Sequence, residues 1–354
     1  MHSVSWGMLI VLYLFLAGVS AGAFSTSAGV LLATGERYRR TVAWGAYLAP
    51  FPVAIGTGLL ILDLGRPLAF YWLFATLRLT SPMSFGVWFL TLFILLSLVY
   101  FFAWLPERWR AVVARFLPRG WRRAAGGADE GLGRLRRILA GVGLPIALGV
   151  AVYTAILLGA STRPLWGSPL LPQLFLFSAM STGLAAVMVT VLLVRWRTGA
   201  MQSGRQATTV GTARAEAAAA AEVAAKGDRE MRLLLVTDLG LLGLEFVTVL
   251  AMILYSRLAS HSIRAAWDVM LSGSYSWLFW LGPVLIGMLV PITLEIMELR
   301  HAQHGSAHGS AHGGAAGAGQ AQTVGLLTGT LILVGGFLLR YVIVYAGQMT
   351  GWTH

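Results

Sequence analysis

Cysteine is absent from the 354 residues of this chain. Its absence excludes disulfide bonds, thiolate catalysis and cysteine-ligated iron–sulfur clusters within the chain. Charged residues are also scarce, since they make up only 11% of the sequence, against about 25% in an ordinary soluble domain. So few charges cannot cover the surface of a globule in water. With 57% hydrophobic residues, the composition indicates a protein that lies in the lipid bilayer.

Histidine is missing from every long apolar run of the sequence. The seven histidines are His2, His261, His301, His304, His308, His312 and His354. A b-type haem inside a membrane bundle needs histidine ligands within the helices, so this distribution excludes such a haem. With neither haem ligands nor cysteine, the chain would take part in electron transfer only by binding an organic carrier, while a partner held the metals.

The net charge of +12 is compatible with two very different partners. Nucleic-acid binding would require a soluble basic domain, and no segment of the sequence has that composition, so no nucleic-acid partner is expected. In a membrane protein, an excess of arginine is typical of the loops that stay in the cytoplasm.

Eight apolar runs have about the 20 residues that a helix needs to cross a bilayer. They cover residues 8–33, 41–63, 83–104, 138–160, 172–194, 233–256, 276–297 and 324–346. Lipid offers no partners to free backbone groups, so these runs are expected to be helical. We predict an all-α membrane protein of eight transmembrane helices, arranged as two four-helix bundles in a single domain over residues 1–354. Met1 to Trp6 contain no Lys or Arg, so the first run is interpreted as a retained span rather than a signal peptide.

Positive charges divide unequally between the connections. Twenty Lys and Arg residues follow the odd-numbered runs, five follow the even-numbered ones, and Arg340 lies inside the last run. This bias predicts cytoplasmic loops at 105–136, 195–230 and 299–323, and both termini in the periplasm of a bacterial inner membrane. The last loop carries four histidines among glycines, which favours a flexible linker over a metal site.

Several motifs, four of them longer than ten residues, resemble those of a known family. They are "LYLFLAGVSAGAF" (12–24), "LILDLGRP" (60–67) followed by "SPMSFGVW" (81–88), "GVAVYTAILLGA" (149–160) leading to "RPLWGSPLLPQLFLFSAMSTGLA" (163–185), and "LVGGFLLRYVIVYAGQ" (333–348). These motifs are similar to those of the NrfD/PsrC family, the integral membrane subunits of polysulfide-reductase-type oxidoreductases. The resemblance runs from the first apolar run to the last.

The resemblance implies a membrane anchor that exchanges electrons between the quinone pool and an iron–sulfur subunit in the periplasm. That four-cluster subunit would connect the chain to a molybdopterin or cytochrome catalytic subunit. Menaquinone or ubiquinone is the expected bound substrate, and no haem or iron–sulfur cluster is expected in this chain.

The candidate quinone site lies near the outer ends of the apolar runs. Because a helix rises about 1.5 Å per residue, Tyr153, Arg340 and Asp63 are expected at a similar depth. The loop 66–82 is rich in aromatic residues, among them Trp72. An aromatic cover over a few convergent polar groups suits a flat ring.

Each residue of this candidate site has a second interpretation. The resemblance gives Tyr153, with Thr154 beside it, a role at the quinone headgroup, although Tyr153 could also be an interfacial aromatic anchor. Asp63 could accept a proton from quinol with Arg66 holding it ionised, or the two could form an ion pair that fixes the loop. Arg340 is expected to pair with an acid rather than to touch substrate.

Acidic residues inside the apolar runs form a second candidate site. Asp238 and Glu245 stand seven residues apart, so they share one face of a helix, and Glu295 lies in the following run. Buried acids in series suggest a proton relay, whereas the alternative is that each only packs against a polar neighbour. A proton-coupled transporter and a purely structural anchor therefore remain alternatives to the quinone-interacting subunit.

Overall fold

The computed structural model describes residues 7–63, 82–114, 129–161, 163–203, 213–307 and 315–350. Within these ranges the chain is helical and contains no strand. The helices are α1 (Met8–Thr34), α2 (Arg39–Leu48), α3 (Pro50–Asp63), α4 (Pro82–Trp104), α5 (Glu107–Ala114), α6 (Asp129–Gly159), α7 (Leu171–Ser203), α8 (Ala213–Leu258), α9 (His261–Leu271), α10 (Ser276–Phe279), α11 (Val290–Ala307) and α12 (Ala315–Gln348). A 3₁₀ turn at Gly35–Tyr38 joins α1 to α2, and a π-helical segment at Trp280–Leu289 joins α10 to α11.

Seven helical stretches of the described residues are long and apolar enough to cross a membrane. They are Met8–Asp63, Ser84–Trp104, Gly131–Gly159, Leu171–Arg197, Arg229–Leu258, Ser276–His301 and Gln322–Gln348. This finding confirms the expected helical, multi-pass membrane class. The first stretch has 56 residues and contains two of the eight apolar runs.

The first stretch folds back on itself as a helical hairpin. Gly35 turns the chain with a φ of 64°, a left-handed value that favours glycine. Beyond the turn, the Ser27 hydroxyl of α1 donates to the Val42 carbonyl of α2 at 2.6 Å. Further along, the Ser20 hydroxyl donates to the Ala49 carbonyl, at the junction of α2 and α3. Because rising residue numbers in α2–α3 meet falling numbers in α1, the two arms are antiparallel.

Helix α1 lies at the centre of the packing, against α3, α6 and α7. We call α1, α3, α4 and α6 the first helix group, and α7, α8, α11 and α12 with the π-helical segment the second helix group. The two groups meet where Gly22 of α1 crosses Gly183 of α7, and a Cβ atom on either glycine would overlap the backbone of the other helix. Small residues allow this kind of close helix crossing in membranes.

Several helices continue beyond the predicted apolar runs. Helix α7 extends to Ser203, and α8 begins at Ala213 and is 46 residues long. Much of the predicted loops 105–136, 195–230 and 299–323 is therefore helical in the described residues. The alanine-rich start of α8 explains part of this, since alanine has the highest helix propensity.

Helix α8 has an apolar outer face and an acidic inner face, as expected for a helix in a bilayer. Its exposed face carries Leu244, Val247, Leu250 and Leu254. Its enclosed face carries Asp238 and Glu245, which are 0% and 4% exposed. In water this arrangement would be inside out, whereas in lipid the leucines face the acyl chains and the acids face other helices.

Candidate functional site

Tyr153 of α6 lies in the interior of the first helix group, with only 5% of its surface exposed. Its phenol ring lies against α4 at Gly86, where a Cβ atom would overlap the tyrosine hydroxyl. Glycine at this position therefore creates the space that the ring fills. The "SFGVW" motif of α4 and the "YT" motif of α6 thus meet at one point.

Tyr13 of α1 is a neighbour of Tyr153 that the sequence had not indicated as a site residue. It interacts electrostatically with Tyr153 and is fully buried. Its hydroxyl has no hydrogen-bond partner among the described residues. A buried phenol without a partner loses free energy of order 1–3 kcal/mol, so this donor is well suited to an acceptor that comes from outside the chain.

Thr154 hydrogen-bonds within its own helix. It is 2% exposed, and its hydroxyl donates to the Ala151 carbonyl of its own helix at 2.7 Å. The one proton of the hydroxyl is therefore engaged within α6. Nothing in this geometry directs Thr154 at a ligand.

Arg340 of α12 is enclosed between three helices. Its Nε donates to the Leu14 carbonyl of α1 at 3.3 Å, and one terminal nitrogen donates to Ser178 Oγ of α7 at 3.1 Å and to the Gly336 carbonyl at 2.7 Å. Leu14 follows Tyr13 directly, so Arg340 and Tyr153 approach the same level of α1 from different helices. Depth counting from the sequence predicted a shared level for these two residues and for Asp63.

Two aromatic rings and one acid complete the surroundings of Arg340. The guanidinium carbon lies 5.8 Å from the Phe15 ring centre and 5.5 Å from that of Phe175. Glu245 of α8 interacts with Arg340 electrostatically and lies close to Ser178. The arrangement supports the prediction that Arg340 is partnered by an acid.

Asp63 ends α3 with an exposed side chain. Gly56 of α3 faces Tyr13 of α1, and Asp63 follows seven residues later, which is about 10 Å farther along the helix. The described residues show no contact between Asp63 and Tyr153. Arg66 and Trp72, together with the predicted aromatic cover, lie outside the described residues.

Acidic residues of the second helix group lie close to one another. The Ser181 hydroxyl of α7 donates to Asp238 Oδ1 at 2.8 Å. The carboxyl group of Glu295 in α11 faces that of Asp238, and Glu298 lies next to Glu295. Since both facing carboxyls are fully buried, they cannot both carry a charge without a strong energetic penalty.

These groups form a polar row across the second helix group. It runs from Arg340 through Ser178 to Glu245, and then through Asp238 with its partner Ser181 to Glu295 and Glu298. Several oxygens of this row have no hydrogen-bond partner among the described residues. They are Oδ2 of Asp238, both carboxyl oxygens of Glu295 and Oε2 of Glu298.

A metal centre is not indicated in the part of the chain that the structure describes. That part contains no group of three or more His, Cys, Asp or Glu side chains that could hold a metal ion. The side chains of the two candidate sites offer hydrogen bonding by tyrosines and proton exchange by carboxyl groups.

Comparisons with known proteins point to one family. A family model described as "Polysulphide reductase, NrfD" matches residues 1–309. The chain is 27% identical to one of the chains of polysulfide reductase from Wolinella succinogenes, over 98% of this chain and 95% of that protein. It is 28% identical to protein NrfD of Escherichia coli, over 99% and 96% of the two proteins. It is also 25% identical to one of the subunits of selenate reductase from Mesobacillus selenatarsenatis, over 82% and 66%.

Proposed function

Since this chain belongs to the NrfD polysulphide reductase family, we propose that it is the quinone-interacting membrane subunit of a respiratory oxidoreductase. In this role it exchanges electrons between the membrane quinone pool and an iron–sulfur subunit. The observation that carries the proposal is Tyr13 beside Tyr153, because the buried Tyr13 hydroxyl has no hydrogen-bond partner among the described residues and lies in an apolar membrane interior.

A quinone ring matches the chemistry of this pair. Its two carbonyl oxygens accept hydrogen bonds, and a tyrosine hydroxyl donates one. Asp63, at the end of α3, is the proposed proton acceptor during quinol oxidation. Arg66 and Trp72 belong to the segment proposed to cover the ring.

The partners follow from the chemistry that the chain lacks. Without cysteine it holds no cysteine-ligated cluster, so electrons from quinol need an acceptor on another subunit. Two of the relatives are named as individual components of polysulfide and selenate reductases, which supports membership in a multi-subunit reductase. We assign the acceptor to a periplasmic iron–sulfur subunit, which passes electrons to or from a molybdopterin or cytochrome catalytic subunit.

The proposed topology has eight spans, with both termini in the periplasm of the bacterial inner membrane. The antiparallel hairpin of α1 with α2–α3 supports counting the 56-residue stretch as two spans. The two helix groups then contain four spans each. Reporter fusions at Arg122 and Arg205 should give a cytoplasmic signal and a fusion at Arg78 a periplasmic one, and the reverse result would overturn the orientation.

The polar row of the second helix group is proposed to conduct protons. Asp238, Glu245 and Glu295 are ionisable, buried and arranged in series. Such a row can pass protons between one membrane face and the level of Arg340. Proton movement would then accompany quinol oxidation in the first helix group.

Removing single hydroxyls tests the quinone site. Tyr13→Phe deletes a hydroxyl that has no internal partner among the described residues, so the fold should be unaffected. If that hydroxyl binds quinone, the variant should bind a quinone analogue about fivefold more weakly, the effect of one hydrogen bond. Tyr153→Phe should weaken binding to a similar degree, as measured by titration of the purified, detergent-solubilised complex.

Tyr47→Phe is the matched control for this experiment. It removes a hydroxyl that donates to the Trp104 carbonyl at 2.7 Å, at the arginine-rich end of the molecule. The control should leave quinone affinity unchanged. Unchanged affinity in both Tyr13→Phe and Tyr153→Phe would remove the basis of the proposal and favour a purely structural anchor.

A further inference from the structure

A polar pocket lies at the arginine-rich end of the first helix group, far along the helices from Tyr153. It has a volume of about 370 Å³, within the range of about 300–1,000 Å³ that is usual for ligand sites. Its charged lining consists of Glu36, Arg39, Glu107, Arg110 and Arg136. Three arginines against two glutamates leave the pocket with a positive balance.

Arg136 already has partners within the chain. Its Nε donates to the Ala103 carbonyl at 3.0 Å, and a terminal nitrogen forms an ion pair with Glu36 at 2.9 Å. The guanidinium also lies over the Trp104 ring at 4.3 Å. Arg136 and Glu36 therefore neutralise each other and form one wall of the pocket.

Arg110 differs from Arg136 because its guanidinium has no partner among the described residues. The side chain is only 8% exposed, yet no hydrogen bond or ion pair joins the guanidinium to another described residue. No Arg110 nitrogen is among the fully enclosed polar atoms that lack a partner in the described residues. The guanidinium therefore remains accessible from the pocket that it lines. Elsewhere, enclosed arginines such as Arg195 and Arg340 have acceptors at 2.6 and 2.7 Å.

An enclosed guanidinium without an acceptor is energetically unfavourable, and an anion in the pocket would supply one. Arg39 lines the same pocket with an exposed side chain and can act on the same anion. Two arginines that converge on one site are typical of phosphate recognition, because each guanidinium donates paired, charge-assisted hydrogen bonds.

Helix α5 indicates where this pocket lies relative to the bilayer. Its outer surface carries Trp109, Val112 and Val113, which are 54%, 45% and 37% exposed. The Arg108 guanidinium lies 5.9 Å from the Trp109 ring centre. A short helix with exposed tryptophan and valine beside arginine is suited to the boundary between headgroups and acyl chains.

We infer that this pocket binds the headgroup of an acidic phospholipid, with its phosphate between Arg110 and Arg39. The lipid is the source of the anion because the pocket opens beside an apolar helix surface at the headgroup level, where acidic lipids are concentrated. Glu107 on the pocket wall can accept a hydrogen bond from a headgroup hydroxyl. This site is independent of the quinone site and does not rest on it.

The test uses the full-length chain in detergent, titrated with phosphatidylglycerol and followed by native mass spectrometry. Arg110→Gln should weaken phosphatidylglycerol binding by about tenfold, since it removes a charge-assisted contact. Arg39→Gln should also weaken binding, and because the Arg39 side chain is exposed, this variant should fold normally. Phosphatidylcholine, which has no net charge, should bind the wild-type chain about tenfold more weakly than phosphatidylglycerol.

Arg108→Gln is the matched control, because it removes the same charge from the same helix outside the pocket. Its affinity for phosphatidylglycerol should stay within about twofold of the wild-type value. Equal losses in Arg108→Gln and Arg110→Gln would overturn the site in favour of general surface charge. Displacement of the lipid by an equal concentration of inorganic phosphate would overturn the lipid as ligand and leave a free-anion site.

Discussion

The candidate site of the first helix group is built on two buried tyrosines, whereas the ionisable side chains enclosed in the second helix group are carboxylates and an arginine. Tyr13 and Tyr153 offer hydroxyls that stay neutral, which suits a neutral ring. Asp238, Glu245 and Glu295 can each gain or lose a proton, and Arg340 is held between the groups by α1, α7 and α12. Under the proposed function, this difference separates the binding of a carrier from the handling of its protons within one chain.

Arg340 gives the largest expected effect, because it joins the two groups. Arg340→Gln removes three hydrogen bonds and leaves Glu245 buried without its cation. Breaking a buried charge pair on one side typically destabilises a protein by about 3–5 kcal/mol. The loss should appear in denaturant unfolding of the solubilised chain.

Two further variants separate charge from packing at Arg340. The double variant Arg340→Gln/Glu245→Gln should regain part of the lost stability, because no uncompensated charge then remains. Arg163→Gln removes an arginine that donates to the Thr350 carbonyl near the surface and should cost less than about 1 kcal/mol. Wild-type stability of Arg340→Gln would mean that the two groups are held together without this residue.

Asp63→Asn tests whether the first helix group depends on a nearby base. Removal of a general base typically lowers a rate by about a hundredfold or more, and quinol oxidation by the assembled complex is the measurement. Asp268→Asn is the control, since Asp268 is also a solvent-accessible acid and forms an ion pair with Arg257 at 3.3 Å. If Asp63→Asn assembles and turns over at the wild-type rate, Asp63 serves only to fix the end of α3.

Glu295→Gln tests the second helix group alone. The variant keeps the size of the side chain and removes its exchangeable proton, so turnover should fall by about tenfold while quinone affinity stays unchanged. Glu295→Asp, which retains a carboxyl group, should recover part of the rate. A parallel loss of quinone affinity in Glu295→Gln would contradict the division between the two groups.

Gly86→Ala gives the smallest expected effect and acts within the first helix group. The new methyl group would overlap the Tyr153 hydroxyl, so the ring must move and quinone binding should weaken by roughly fivefold, the value of one hydrogen bond. Gly58→Ala, where a Cβ atom meets no neighbouring atom within 4 Å, is the control for a glycine change inside a helix. Equal affinities of the two variants would show that the position of Tyr153 is unimportant.

The sequence predicted the helices better than their ends. Every apolar run is helical over nearly all of its length, because hydrophobicity over about 20 residues is a strong signal. The ends were missed at α7 and α8, since alanine-rich and charged segments outside the membrane can continue a helix that hydropathy does not detect. The turn at Gly35 lies in the connection that the sequence predicted between residues 33 and 41.

The candidate sites were partly accessible from sequence. Asp238, Glu245 and Glu295 were found because an acid in an apolar run is conspicuous. Tyr13 was missed because a tyrosine among leucines has the same appearance as a core residue, and only its neighbour Tyr153 and its unpartnered hydroxyl distinguish it. The pocket around Arg110 brings together the Gly35–Tyr38 turn, α2, α5 and α6, which no local pattern reveals.

The crossing of Gly22 and Gly183 has a consequence for how the sequence can vary. Most membrane-facing leucines tolerate exchange for other apolar residues, because lipid adapts to their shape. At this crossing two backbones touch, and an alanine at either position would need one helix to move away. In a library randomised at both codons and sorted for assembled protein, the survivors should therefore retain glycine at both positions, while Leu250 drifts freely.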